Sequence, residues 1–255
     1  MPTWDPGQYL RFESQRALPV HDLLGRLGDR APTRIVDLGC GPGTSTAALR
    51  ARWPKARIEG IDLSEEMLAV ARRSDPATVW RRDDLRTWRA AAPYDLVFSN
   101  AALHWVPDHA ELFPRLLEAV APGGALAVQM PASSESPVHR WVREVARSAT
   151  WSSRWGTAVP AHPVEPPAVY YRLLAPRSAA VELWETEYVH VLPDAASIVE
   201  WVKGTTLRPY LERLPPADQP SFLADVTRGV AEAYPAEPDG RVLFPFRRQF
   251  IVAHR

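Results

Sequence analysis

A short run of glycines near residue 40 most limits the folds open to this chain. The stretch from Val36 to Gly43 reads VDLGCGPG, with Asp37 just before glycines at 39, 41 and 43. Glycines at the end of a strand permit a tight turn and a close ligand, and a helix that begins there offers free N–H groups. The spacing differs from the G-x-G-x-x-G of dinucleotide folds, and no phosphate-loop Gly-Lys-Ser/Thr follows. The run predicts a strand, a ligand-binding turn and a helix.

Apolar runs alternate with helical stretches between residues 34 and 130, which predicts an α/β fold with a mostly parallel sheet. The five predicted strands are Arg34–Leu38, Arg57–Asp62, Thr78–Arg81, Tyr94–Ser99 and Ala125–Met130. The helices expected between them are Thr44–Arg52, Ser64–Arg73 and Pro107–Val120. Gly123 and Gly124 predict a turn before the fifth strand.

The two ends of the chain add helices and strands to this pattern. Helical spacing predicts two helices, Tyr9–Arg16 and Leu18–Leu27, before the first strand. Downstream, Val181–Leu192 and Val242–His254 read as strands, and Ala196–Tyr234 reads as helical. We therefore expect one domain over residues 1–255, with its core sheet at 30–131 and cap insertions at approximately 132–178 and 193–240.

Composition excludes several functional classes. Thirty Lys and Arg balance thirty Asp and Glu, so no global field favours a nucleic-acid backbone or an anionic membrane. One cysteine forms neither an internal disulfide nor a cysteine metal cage, and the seven histidines show no ligand spacing. The first residues lack signal-peptide features, and no apolar run reaches membrane-spanning length. We expect a cytoplasmic protein with no metal, nucleic-acid or membrane partner.

Acidic residues recur at the ends of the first three predicted strands. Asp37 lies in the first strand, Asp62 closes the second, and Asp84 follows the third. Taken alone, Asp62 would also serve to cap the helix that starts at Ser64, and the neighbouring Asp83 is an alternative to Asp84. A plain strand-to-helix turn and an NAD(P) site remain alternatives at this point.

The glycine loop and these acidic residues together resemble motif I and its companions in class I S-adenosylmethionine-dependent methyltransferases. The resemblance implies a Rossmann-like sheet, mostly parallel with the last strand antiparallel, with N-terminal helices and a helical substrate cap. It places Asp62 at the ribose hydroxyls, Asp84 at the adenine amino group, and Asn100 and His104 at the reaction centre. The implied cofactor-binding residues are Asp37, Gly39, Gly41, Gly43, Asp62, Asp84, Leu85 and Asn100.

Further segments resemble one narrower family, the trans-aconitate 2-methyltransferases. These segments are Trp4 to Phe12, Arg52 to Pro54, Asn100 to Asp108, Val128 to Pro131, Trp184 to His190, Trp201 to Pro209 and Phe246 to Ala253. The family esterifies one carboxylate of trans-aconitate and releases S-adenosylhomocysteine. The match spans nearly the whole chain and is weakest from Pro131 to Pro167. A monomer or weak homodimer is the expected assembly.

The implied chemistry makes small demands on acid–base groups. A carboxylate is ionised at neutral pH, so it attacks the methyl group without a general base. A tricarboxylate needs positive groups, and guanidinium groups suit carboxylates best. The residues that we expect to bind substrate are Tyr9, Arg16, His104, Trp105, Tyr171, Arg208 and Arg248.

Two other functions stay open from the sequence. One is a methyltransferase for another acceptor, which would be a different carboxylate or a hydroxyl, amine or carbon group. Any of these acceptors other than a carboxylate would need a general base such as His104. A non-catalytic protein that binds S-adenosylmethionine is the other, and it would transfer no methyl group.

Overall fold

The strands pair into one sheet in a computed structural model that describes residues 13–155 and 164–255, with side chains from Leu18 onward. The strands are β1 (Arg34–Leu38), β2 (Arg57–Asp62), β3 (Val79–Arg82), β4 (Tyr94–Asn100), β5 (Val120–Pro131), β6 (Ala180–Leu192) and β7 (Val242–His254). Their order is β3-β2-β1-β4-β5-β7-β6. Neighbours from β3 to β5 are parallel, and β7 runs antiparallel to β5. The predicted sheet is confirmed.

Helices separate most of the strands. They are α1 (Glu13–Arg26), α2 (Thr44–Arg52), α3 (Glu65–Ser74), α4 (His109–Glu118), α5 (Pro137–Arg147), α6 (Pro167–Leu174), α7 (Ala195–Lys203), α8 (Arg208–Leu211) and α9 (Gln219–Ala233). Short 3₁₀ turns occupy Leu103–Trp105, Ser152–Arg154 and Ala175–Arg177. Within the described part of the chain, no helix is long and apolar enough to cross a membrane.

Helix α1 differs from the two helices that the sequence predicts before β1. It continues from Glu13 through Pro19 to Arg26 without a break. Its apolar residues after the proline are almost completely buried, Leu23 at 0% exposure among them. Burial of this face outweighs the one backbone hydrogen bond that proline removes. Residues 9–12 of the first predicted helix lie outside the described residues.

Strand β5 begins earlier than the sequence predicts. The expected turn at Gly123 and Gly124 is absent, because β5 runs through both residues from Val120. Between the pairs Tyr94–Val120 and Leu96–Ala125 the register shifts, so these glycines lie in a bulge. A Cβ at Gly124 would lie 2.7 Å from the carbonyl oxygen of Asp95. The glycine therefore serves a close approach between strands and not a chain reversal.

The described residues form two compact units, each with its own core. One unit comprises residues 13–131, 164–186 and 248–255, and its core includes Phe113 and Tyr170. The other comprises residues 132–155 and 187–247, with a core that includes Phe222 and Phe244. Strands β6 and β7 contribute residues to both units. Helix α6, which falls inside the predicted insertion 132–178, belongs to the unit with the central strands.

Asp95 ties the start of β4 to the start of β1. Its Oδ2 accepts hydrogen bonds from the backbone N–H of Thr33 at 2.7 Å, the Thr33 hydroxyl at 2.7 Å and the Arg34 N–H at 2.9 Å. These bonds favour the ionised carboxylate and lower the pKa of Asp95, with the Thr33 hydroxyl as the largest cause.

We predict that Asp95→Ala lowers the free energy of unfolding by about 1–2 kcal/mol at pH 7, because three donors lose their acceptor. A lowered folded-state pKa stabilises the protein above the unfolded-state value and loses that effect as the pH falls through the folded-state value. Urea unfolding should therefore show a smaller difference between wild type and variant at pH 3 than at pH 7. Asp29→Ala, at an exposed aspartate, is the control. An equal difference at both pH values would contradict this account.

Candidate functional site

The glycine loop joins β1 to α2, and its three glycines have different surroundings. Gly39 has φ +73°, and a Cβ there would lie 2.1 Å from the Cβ of Ala102. Gly41 has φ +55°, and a Cβ there would have no neighbouring heavy atom within 4 Å. A Cβ at Gly43 would lie 3.1 Å from the Trp80 ring. Gly39 and Gly43 thus permit close packing, whereas Gly41 faces the open side where a ligand can approach.

Asp37 lies below this loop and holds it to the following helix. Its side chain is fully buried, and Oδ2 accepts hydrogen bonds from the hydroxyls of Ser45 at 2.7 Å and Thr46 at 2.6 Å in the first turn of α2. Burial raises the pKa of Asp37 to about 6, although both hydroxyl bonds act in the opposite direction. Asp37 therefore holds the loop in place from beneath. Its role in cofactor binding, which would act indirectly through the loop, stays a prediction.

Asp62 connects the glycine loop to α3. Its Oδ2 accepts from the N–H of Gly41 at 2.9 Å, and its Oδ1 accepts from the N–H of Ser64 at 2.8 Å. Ser64 is itself the N-cap of α3, since its hydroxyl accepts from the N–H of Met67 at 3.2 Å. Burial raises the pKa of Asp62, and the backbone bonds partly oppose this. The structure brings Asp62 and Gly41 together, as a shared cofactor site requires.

Asp84 follows β3, and the structure adds a partner that the sequence did not indicate. Both of its carboxylate oxygens accept from Arg86, whose Nε lies 3.0 Å from Oδ1 and 2.9 Å from Oδ2. These bonds lower the pKa of Asp84. The next residue, Leu85, is only 9% exposed, and its Cδ1 would lie 3.8 Å from a Cβ at Gly39. The adenine roles of Asp84 and Leu85 stay predictions.

The end of β4 carries the predicted reaction centre. Asn100 is the last residue of the strand, and its buried Oδ1 has no hydrogen-bond partner. Ala101 has φ +53°, a left-handed conformation that is uncommon for residues other than glycine. The 3₁₀ turn that follows presents His104 and Trp105, both half-buried, with ring centroids 4.8 Å apart. Backbone strain next to an unpaired buried amide oxygen is typical of a functional site.

His109 and Tyr170 support this turn, and the sequence reasoning missed both. His109 Nε2 lies 3.0 Å from the carbonyl oxygen of Leu103, so this nitrogen donates. His109 Nδ1 then accepts from the Tyr170 hydroxyl at 2.7 Å, and the same hydroxyl accepts from the N–H of Glu165 at 3.0 Å. Burial raises the pKa of Tyr170. The helical spacing of α6 was the available signal, since it puts Tyr170 and Leu174 on one face.

The predicted substrate residues lie on several different elements of the chain. Tyr171 is 53% exposed on α6, and Arg248 is 5% exposed on β7. Arg208 belongs to the other unit, where its Nε donates to Glu212 at 2.8 Å. Arg16 lies in α1 with its side chain outside the described residues, and Tyr9 lies wholly outside them. Their roles as substrate ligands stay predictions.

Cys40 is the one thiol of the chain and lies inside the glycine loop. It is 3% exposed, and burial raises its pKa well above the ordinary value. A protonated buried thiol is a poor nucleophile, which agrees with Cys40 as a small loop residue. Among residues 13–155 and 164–255, no group of three or more His, Cys, Asp or Glu side chains is arranged to hold a metal ion.

Comparison with known sequences points to one enzyme family. A family model described as a methyltransferase domain matches residues 35–124, from β1 to the bulge of β5. The chain is 50% identical over 255 residues to a protein from Azoarcus sp. (strain BH72) named trans-aconitate 2-methyltransferase, and the alignment covers 100% of both chains.

Solved structures show the same fold. A putative methyltransferase from Bacillus halodurans has a TM-score of 0.61 at 16% identity, covering 92% of this chain and 97% of that one. Phosphoethanolamine N-methyltransferase 2 from Haemonchus contortus, solved in complex with S-adenosyl-L-methionine, has a TM-score of 0.57 at 17% identity. That alignment covers 93% of this chain and 52% of the other. At these identities the similarity is one of fold alone.

We predict opposite consequences for two alanine substitutions in the glycine loop. Gly39→Ala should destabilise the protein by roughly 3 kcal/mol or more, because it adds a clash with Ala102 to a left-handed backbone. Gly41→Ala should destabilise the protein by only about 1–2 kcal/mol, the cost of a left-handed backbone at a residue other than glycine. It should nevertheless weaken binding of the predicted cofactor, S-adenosylmethionine, because the alanine side chain would occupy the open side of the loop. Urea unfolding and calorimetric titration measure the two effects. Similar stabilities for the two variants would contradict the packing role of Gly39.

Proposed function

Because this chain belongs to the trans-aconitate 2-methyltransferase family, we propose that it transfers the methyl group of S-adenosylmethionine to one carboxylate of trans-aconitate. The products are the monomethyl ester and S-adenosylhomocysteine. Similarity over the full length of both chains carries the proposal, since it extends well beyond the 90 residues of the methyltransferase domain, 35–124.

The loop after β1 fits the cofactor. Gly41 leaves its outer side open, and Asp62 lies directly beside it at the end of β2. When bound, S-adenosylmethionine supplies an electrophilic methyl group on a positively charged sulfur. Asp62 would accept hydrogen bonds from the ribose hydroxyls, and Asp84 would accept a hydrogen bond from the adenine amino group. The unpartnered Oδ1 of Asn100 suits a donor from the amino-acid end of the same ligand.

The acceptor chemistry requires positioning more than proton transfer. An ionised carboxylate oxygen forms the new O–CH₃ bond while the S–CH₃ bond breaks and its electron pair returns to sulfur. No proton moves, so no side chain has to act as a base. His104 and Trp105 would instead form a wall at the reaction centre that keeps the acceptor in line and excludes water.

Positive charge for the acceptor would come from arginine side chains. Arg248 is the described candidate in the unit that carries the glycine loop, and its burial strengthens any contact with a carboxylate. Arg16, which lies in α1 of the same unit, would serve another carboxylate of the same substrate. A substrate with three carboxylates would thus be distinguished from acids with fewer by the number of guanidinium partners.

We predict that the purified protein transfers radiolabelled methyl from S-adenosylmethionine to trans-aconitate, with cis-aconitate and a phenol as comparators. A carboxyl ester is cleaved by mild alkali, whereas a methyl ether is not, so alkaline hydrolysis should release the label as methanol. Label that resists alkali, or that appears mainly on the phenol, would contradict the proposal in favour of a hydroxyl acceptor. Tight cofactor binding without transfer to any acceptor would favour a non-catalytic role.

We also predict that Asp62→Ala raises the dissociation constant for S-adenosylmethionine about 10-fold or more, because it removes the ribose partner and frees the loop at Gly41. Asp95→Ala is the matched control, since Asp95 also accepts two backbone N–H bonds but lies at the opposite end of the strands. Calorimetric titration at equal temperature compares the two variants. Unchanged affinity in Asp62→Ala would remove Asp62 from the cofactor site.

A further inference from the structure

Gln129 is a buried amide that the mechanism above leaves unexplained. It lies on β5 with 0% exposure, and neither its Oε1 nor its Nε2 has a hydrogen-bond partner. Buried polar groups of folded proteins nearly always find a partner, because an unpaired one costs free energy. Such a side chain at the edge of a binding site indicates a ligand group that completes it.

The strand register places Gln129 beside the predicted reaction centre. Gln129 pairs with Asn100 on β4 and with Phe250 on β7, so the three side chains project from the same face of the sheet. The Oδ1 of Asn100 is buried and unpartnered as well. Both amides therefore lie near the ends of neighbouring strands, on one face, with acceptor or donor capacity that the protein does not use.

Arg248 lies on that face too. It pairs with Pro131, two residues after Gln129, which makes Arg248 a diagonal neighbour of Gln129 across β5 and β7. Diagonal neighbours of this kind lie about 7–8 Å apart, within reach of long side chains. The guanidinium of Arg248 is buried, so it brings positive charge into the same region. A guanidinium makes strong hydrogen bonds to a carboxylate, and a neighbouring amide N–H can donate to an oxygen of the same group.

An aromatic pair lies on the same face beside Gln129, among the residues that the structure describes. The ring of Phe250 is fully buried and stacks on Trp184, with centroids 4.8 Å apart and an interplanar angle of 5°. An apolar wall of this kind excludes water and strengthens the hydrogen bonds of a ligand that enters beside it. The glycine loop and Asp62 lie at the ends of β1 and β2, on the opposite side of β4 from Gln129. The position of Gln129 therefore suits the acceptor and not the ribose or adenine.

We propose that Gln129 is a substrate-binding residue whose Nε2 donates to a carboxylate of the methyl acceptor, next to Arg248 and Asn100. This inference rests on the proposed function and assigns the acceptor side of its site. It also implies a cost in the free protein, because the amide lacks partners until the acceptor is bound. Replacement by an apolar residue of similar size should relieve that cost while it weakens acceptor binding.

The test compares Gln129→Leu with wild type in methyl transfer to trans-aconitate, in calorimetric titration with S-adenosylmethionine and in urea unfolding. We expect a KM for trans-aconitate raised roughly 10-fold or more. The dissociation constant for S-adenosylmethionine should change less than about 2-fold, and the urea midpoint should equal or exceed that of wild type. Gln129→Glu should raise the KM further, since its carboxylate repels the acceptor.

Gln249→Leu is the matched control. Gln249 is 1% exposed, its Nε2 also lacks a partner, and it pairs with Met130, so it projects from the opposite face of the same sheet. Its substitution should leave the KM for trans-aconitate within about 2-fold of wild type.

The outcomes separate the two proposals. Transfer to trans-aconitate by wild type with an unchanged KM in Gln129→Leu would overturn the assignment of Gln129 and leave the proposed function intact. A lower urea midpoint with an unchanged KM would make Gln129 a structural amide, bonded to Asn100 or to internal water. No transfer to trans-aconitate by wild type would overturn both proposals together.

Discussion

The contact between Gly39 and Ala102 is the constraint on which the predicted site depends. These residues belong to the loops after β1 and β4, and no side chain fits at Gly39, since a Cβ would lie 2.1 Å from that of Ala102. The contact brings the glycine loop against the turn that carries His104 and Trp105. Because β1 and β4 are neighbouring parallel strands, their ends meet at one edge, and the missing side chain lets their loops meet as well.

Hydrogen bonds then fix each loop from below and from the side. Asp37 binds the first turn of α2, and Asp62 binds both Gly41 and Ser64. On the other side of the contact, His109 accepts a hydrogen bond from the Tyr170 hydroxyl and donates one to the carbonyl oxygen of Leu103. These hydrogen bonds join buried groups. If one is lost, its polar atoms have no water to bond with instead, which costs free energy. The loops are therefore positioned before a ligand arrives, which is what in-line methyl transfer requires.

Charge is distributed unevenly along this edge of the sheet. Carboxylates lie at or just after the carboxyl ends of β1, β2 and β3, whereas β4 and β5 carry amides near their ends and β7 carries the guanidinium of Arg248 beside the end of β5. The first arrangement suits a cationic sulfonium cofactor, and the second suits an anionic acceptor. The two reactants of the proposed reaction have opposite charges, so one edge of a single sheet can bind both without repulsion between ligand and protein.

Local sequence was sufficient to predict an element and its bounds wherever the hydrophobic pattern and the turn residues agree over a few residues. The bounds of β1, β2, α2 and β7 follow from apolar runs and their breaks, and the glycine loop with Asp62 follows from its position after a strand. Where local rules mislead, tertiary contacts are the reason: Pro19 lies inside α1 because its neighbours are buried, and Gly124 lies inside β5 because β4 approaches its backbone.

The sequence by itself determined the fold and the family and predicted the cofactor-binding residues, because those depend on the order of strands and on short motifs. Only the tertiary structure decided which polar groups are buried without partners, since that depends on strand register and on packing between residues far apart in the chain. Gln129 reads as an ordinary strand residue in the sequence. It becomes a candidate ligand only when Asn100, Arg248 and Phe250 are placed on the same face beside it.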